Sequence, residues 1–355
     1  MSRDILLKIL DLARWAPSGD NTQPWRFQIL GELHLRIHGF DTRDHILYDF
    51  QGHASHIAHG ALLETLRIAA SQYGLSATWN VCSEVDDRTP KYDVILESSS
   101  LPVDPLARFI ETRMVQRRPM SCSPLNEAQR KGMREAAGCD FRVDFFESRR
   151  ERLSVAHLLW DNAYLRLTCP EAYPVHREII EWGAQFSKDR IPEQAVGVDP
   201  ATAKLMRWVM QKWERVAFFN RFLMGTVLPR IQLDVLPAFY CAAHLLIRPN
   251  KQPESLNDWI ALGGSMQRVW LTAAQQGLHL QPEMTPVIFR WYARSQTRFS
   301  STESLHTKAL NLSGNFEQLA GATESDPFGF FGRVGVSPTP LSRSTRQDLD
   351  FLMLD

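Results

Sequence analysis

Residues 60–75, GALLETLRIAASQYGL, align without a gap on residues 263–278, GGSMQRVWLTAAQQGL, and this internal repeat is the strongest constraint on the fold. Gly60/Gly263, Ala70/Ala273, Gln72/Gln275, Gly74/Gly277 and Leu75/Leu278 are identical. Apolar character persists at Leu63/Met266, Leu66/Val269 and Ile68/Leu271. Each copy reads as a buried helix that begins after a glycine and ends at a glycine C-cap. Upstream, residues 2–30 and 124–146 both run from a helix into an alternating strand. In the first, Ser2 is the expected N-cap, Pro17 stops the helix, and Gly31-Glu32 forms a hairpin turn. The chain therefore divides into related halves, residues 1–105 and 106–355, each an antiparallel sheet packed by helices. The fold class is α+β, with the repeated helices as the central contact.

Composition excludes several functions. The 355 residues carry 40 acidic and 40 basic side chains, so no surplus of cations marks a nucleic-acid binder. No stretch approaches the roughly 20 apolar residues that span a bilayer, and no membrane partner is expected. The start, MSRDILLKIL, does not read as a secretory signal, which makes the cytoplasm the default location. Cys82, Cys122, Cys139, Cys169 and Cys241 are scattered and show no metal-ligand spacing. His53, His56 and His59 share a helical face but lack an acidic partner in register, so no metal is assigned.

The two halves differ at their connections. The first passes from helix to strand through APSGDNTQPW (16–25), small and amide-rich; the second goes almost directly from Ala137-Gly138 into its strand. Conversely, TRMVQRRPM (112–120) places three arginines ahead of the second half only. Each half holds what the other lacks, and such complementary halves point to one composite site between them.

Ala16-Pro17-Ser18, Asn21 and Gln23-Pro24-Trp25, placed after the first helix, resemble the signature of the FMN-dependent nitroreductase family. Members are normally two-fold dimers with a flavin at each interface, so the resemblance implies a fused, duplicated branch in which one chain imitates the dimer and holds one FMN. It implies that Pro17, Ser18, Gly19, Asn21 and Gln23 lie against the ring, with Trp25 packed behind. Arg117 and Arg118, with Arg113, match the phosphate-binding segment, and Arg343 and Arg346 match the basic C-terminal ending. Guanidinium forks suit phosphate because they grip it bidentately. Pro282, Glu283, Met284 and Thr285 match the segment that offers a backbone N–H to flavin N5, nearest Thr285, although the usual glycine is missing there. No side chain is named as catalytic, since the cofactor carries the chemistry.

The activity so implied is hydride transfer from a transient NAD(P)H through FMN to a small organic acceptor, in a ping-pong pattern. The alternative is an FMN-sequestering protein without turnover. The chain is expected as a monomeric pseudo-dimer or a homodimer. Two insertions distinguish the second half. Residues 183 to about 235 include an aromatic- and methionine-rich helical run in which Met206, Met210, Trp213, Ala217 and Phe218 form a stripe that is either core or pocket wall. Residues 293–327 read as polar surface loop with short helices.

Overall fold

The computed structural model describes residues 3–82 and 86–354; Ser2, the expected N-cap, lies outside them. Helix α1 (Arg3–Ala13) buries Leu6, Ile9, Leu10 and Ala13. Strands β1 (Trp25–Gly31) and β2 (His34–Gly39) form the hairpin, with Glu32-Leu33 as the turn, one residue later than the sequence implied. An irregularity between Ile29 and Gly31 absorbs that shift. Helix α2 (His53–Ser71) crosses to β3 (Leu75–Val81) and β4 (Lys91–Ser98), giving an antiparallel sheet in the order β1-β2-β4-β3.

The second half repeats the plan. Helix α3 (Glu127–Ala137) carries a capping box from Asn126 and Gln129 and leads into β5 (Phe141–Phe146). The counterparts of the other elements are β6 (Ala243–Pro249), α7 (Leu256–Gln275), β7 (His279–Pro282) and β8 (Phe330–Gly335), paired antiparallel as β5-β6-β8-β7. The strand order is that of the first sheet, element for element. The additional segment between β5 and β6 begins with α4 (Arg149–Thr168), well before residue 183, and includes α5 (Pro200–Val209) and α6 (Trp213–Phe222). The segment between β7 and β8, expected as polar surface loop with short helices, is largely helical and partly buried. It holds α8 (Thr285–Arg294) and α9 (Glu303–Leu319), and α9 buries Leu305, Ala309, Leu312 and Phe316 in the core.

Helices α2 and α7 meet at the repeated glycines. These sit at the middle of each helix, not at its start. A Cβ on Gly60 would lie 2.0 Å from the Ile260 carbonyl oxygen, and one on Gly263 would lie 2.0 Å from that of Ile57. The contact is reciprocal, as expected of two surfaces related by a two-fold axis. The end glycines, Gly74 and Gly277, adopt φ of 66° and 74°, the left-handed conformation of a helix C-cap. Across the junction Gln267 donates to Thr65 Oγ1 at 2.8 Å, and Arg268 pairs with Glu64 at 2.8 Å. The C-terminal tail then crosses back: Leu354 N donates to Phe27 O at 2.7 Å, extending the first sheet with residues from the second half.

Candidate active site

The loop after α1 is held open by unusual backbone. Asp20, Asn21 and Gln23 have φ of 49°, 65° and 49°, left-handed values that asparagine and aspartate tolerate best. Ser18 Oγ accepts from Gln23 N at 2.9 Å, closing the turn from within. Gln23 is buried and faces away from any opening: its amide donates to Lys188 O at 2.8 Å and to Asn21 O at 3.0 Å, and its carbonyl accepts from Gln347 N at 2.9 Å. It clamps the loop to the second half. His59 fixes the exit, bonded to Pro24 O at 2.7 Å and to Tyr92 Oη at 2.9 Å. Burial, with neighbouring His56, holds His59 down near 4, so the ring is neutral. His53 stacks on Trp259 at 3.8 Å and His56 bonds Asp87 O at 2.9 Å; the three histidines have separate structural partners. Trp25 is fully buried behind the loop.

In front of the loop lies a cavity of about 380 Å³ between the halves. Pro17, Ser18, Gly19 and Asn21 form one wall; Arg113, Arg117, Arg343 and Arg346 line it from the other half; Pro282, Met284 and Thr285 close it. Three of the guanidinium groups gather at Trp15, while Arg117 donates to Ala195 O at 3.3 Å. Arg113 donates to Trp15 O at 2.9 Å and Arg346 to Ala16 O at 3.1 Å, while Arg343 lies 4.6 Å from the Trp15 ring centre. Among the described residues none of the four forms an ion pair. Desolvation lowers Arg113 to about 9, with Arg343 adding to it, and lowers Arg117 to about 10, partly offset by Asp20. Arg346 is held well below its ordinary value, by burial and by Arg113, Arg343 and Arg14. Arg113 Nε and Asn21 Oδ1 are buried without a hydrogen-bond partner among the described residues. Buried cations without an ion-pair partner, as Arg113 and Arg346 are among the described residues, call for an anion.

Besides Gln23, two more of the residues nominated from sequence, Arg118 and Glu283, lie off this cavity. Arg118 is exposed. It neighbours the half-buried Arg117 at a bend in a segment that is neither helix nor strand. Glu283 turns away from the loop, pairing with His244 Nδ1 at 2.8 Å and with Arg333 at 2.6 Å. Arg333 also donates to Gln116 O and Arg117 O at 3.1 and 2.9 Å, so this buried trio fixes the arginine segment relative to Thr285. Pro282 has no N–H, and Glu283 N donates to Phe331 O at 2.8 Å. Met284 and Thr285 are left with backbone N–H groups unbonded among the described residues, at the start of α8 where such donors are normal.

A second chamber of about 450 Å³ adjoins the first, sharing Arg117, Arg166, His176 and Thr285. The insertion builds its walls: Met206, Met210, Val216 and Phe219 line it. The expected stripe is corrected at its distal end, because the break between α5 and α6 turns Phe219 inward and leaves Phe218 52% exposed. Trp213 instead packs beside Tyr173, 5.5 Å between ring centres. Nothing in the sequence marked Tyr48, Arg166, His176 or Asp234, which sit in no motif. Tyr48 Oη and His176 Nε2 are hydrogen-bonded at 2.7 Å on the cavity wall. Burial and Arg166 hold His176 near 3, hence neutral. Arg166 Nη2 donates to both Asp234 oxygens at 3.0 Å, yet burial outweighs that partner and raises Asp234 to about 6. Asp20 also lines the cavity, and burial raises its carboxyl against the pull of Arg117 and Arg166.

Residues 1–54, which contain the loop, match the model of the nitroreductase family. Similar solved structures include a nitroreductase-like family protein from Bacillus cereus, 11% identical, covering 72% of this chain and 98% of its own, with a TM-score of 0.35. The FMN-dependent nitroreductase from Mycobacterium smegmatis in complex with NADPH is 11% identical, with coverages of 69% and 94% and a TM-score of 0.36. The FMN and NADPH-dependent nitroreductase from sphigopyxis sp. strain HMH is 12% identical, with coverages of 70% and 98% and a TM-score of 0.38. A search of curated proteins returns no match.

Proposed function

We propose that the chain is an FMN-dependent oxidoreductase of the nitroreductase type, a duplicated single-chain pseudo-dimer holding one FMN. The observation that carries this reading is the meeting of Arg113, Arg117, Arg343 and Arg346 with the 17–21 loop around one cavity, four cations against the single lining carboxylate of Asp20 and none of them ion-paired among the described residues. A phosphate ester fits that charge, and Asn21 Oδ1 is an acceptor left for a ring N–H. When bound, FMN supplies two-electron chemistry, hydride in from NAD(P)H and out to a small organic acceptor in alternating half-reactions.

The chain's own part is positional and electrostatic. The arginines anchor the phosphate end, and the clamped loop gives a flat backbone wall. The N–H groups of Met284 and Thr285, at the positive end of α8, favour developing negative charge at the cavity edge. The neutral Tyr48–His176 pair lies on the same wall and can hold a proton for transfer to an acceptor. The adjoining chamber leaves room for a substrate, which favours turnover over sequestration. NADPH or NADH added without oxygen to the FMN-loaded chain is expected to bleach the flavin bands within seconds. Bands that persist on addition of either nucleotide would replace turnover with sequestration.

A further inference from the structure

The cap formed by α5, α6 and the helical stretch Val227–Phe239 has an outer face unlike the rest of the surface. Leu205, Trp208, Phe218, Phe222, Leu223 and Met224 are each at least 46% exposed. The two helices Trp213–Phe222 and Val227–Phe239 meet at 85°, so Phe222, Leu223 and Met224 form the tip of a wedge. The tip has a defined shape: Met224 has φ of 49°, and a Cβ on Gly225 would lie 2.8 Å from Phe219 Cβ. Cations are interspersed with these apolar residues along the chain. Between residues 200 and 224 stand Lys204, Arg207, Lys212, Arg215 and Arg221 against Glu214 alone, in a chain whose formal net charge is zero. None of these cations is ion-paired among the described residues. Arg215 lies 4.4 Å from the Trp208 ring centre, bringing cation and aromatic together.

The apolar face is also the mouth of the distal chamber. Leu205, Leu223, Met224 and Leu228 are exposed and at the same time line it. A second copy of this chain is a poor cover, because a two-fold contact would set the like charges against one another. Aromatic and aliphatic side chains interspersed with lysine and arginine match the anionic surface of a phospholipid bilayer. We propose that the cap rests on such a surface, with Phe222, Leu223 and Met224 seated at the headgroup boundary, so that the chamber mouth opens onto lipid. Among the described residues no single helix is long and apolar enough to cross a membrane, and the pair that together would be is bent by 85°; the proposed contact is peripheral, and it goes beyond the expectation of no membrane partner. Resting on the functional reading above, the acceptor class becomes a lipid-soluble one, entering from the bilayer.

The test is flotation of the full chain with phosphatidylcholine vesicles, with and without phosphatidylglycerol. The chain is expected to float with the anionic vesicles only. Partitioning should fall about tenfold or more in the Phe222→Ser/Met224→Ser variant, and again when salt rises from about 0.05 to about 0.5 M. Circular dichroism matching the parent establishes that the variant is folded. Absence of flotation with anionic vesicles, equal binding to neutral ones, or undiminished binding by the variant would overturn the proposal. So would a dimer that the variant breaks, seen without vesicle binding. The readout needs no flavin, so loss of FMN binding with intact flotation discards the functional reading alone, and the converse discards docking alone.

Discussion

Single side chains carry the strongest statements. Arg346 is buried, donates to the Trp15 and Ala16 carbonyls, and has arginines for electrostatic neighbours. Arg346→Ala should weaken FMN binding by about 2–4 kcal/mol, or roughly 30- to 1,000-fold in Kd. Arg118→Ala, at an exposed position, should change Kd by less than about twofold. Fluorescence titration of both variants checks the contrast. The arginine pair was legible in the sequence only as a cluster; which of the two faces inward depends on backbone direction, which composition does not encode. His244 makes a separate prediction. Burial opposes its charge, but Cys241 and Glu283 outweigh burial and raise it to about 10. Its contribution to stability is therefore complete below its ordinary value near 6.5 and lost as pH rises through 10. Urea unfolding between pH 6 and 10 should show that decline in the parent, and Glu283→Gln should flatten it.

Among the elements, the crossing of α2 and α7 sets the geometry of everything between the halves. Gly60→Ala and Gly263→Ala each force a methyl group onto a carbonyl oxygen of the facing helix, where backbone must yield. A loss of about 1–3 kcal/mol or more in unfolding free energy is expected for each. Gly264→Ala meets its nearest atom at an ordinary 3.8 Å. There helix propensity should prevail and add up to about 1 kcal/mol. The repeat made these helices readable from sequence, because glycine and small residues recur at fixed spacing. Their true starts, His53 and Leu256, were less visible: Gly60 and Gly263 resemble helix boundaries when only local propensity is considered, and tertiary contact keeps them inside. Helix α9 escaped for a related reason. Its apolar residues are outnumbered by polar ones, and a narrow buried stripe suffices for a helix packed on one side only.

At the scale of the molecule, two sheets of one strand order face each other across a helix pair, but their connections are unequal. The loop stands in one half and the arginines in the other, and the proposed function therefore has a single composite site where a symmetric dimer would carry two. The distal chamber was only partly readable, since its inner face is set by a break between α5 and α6 that periodicity runs straight through. The central claim is that composite site, and the direct test is titration of the flavin-free chain with FMN, followed by fluorescence quenching. The account predicts saturation at one FMN per chain, with affinity lost in Arg346→Ala. Saturation at two per chain, no binding, or an Arg346→Ala variant that binds as tightly as its parent would contradict it.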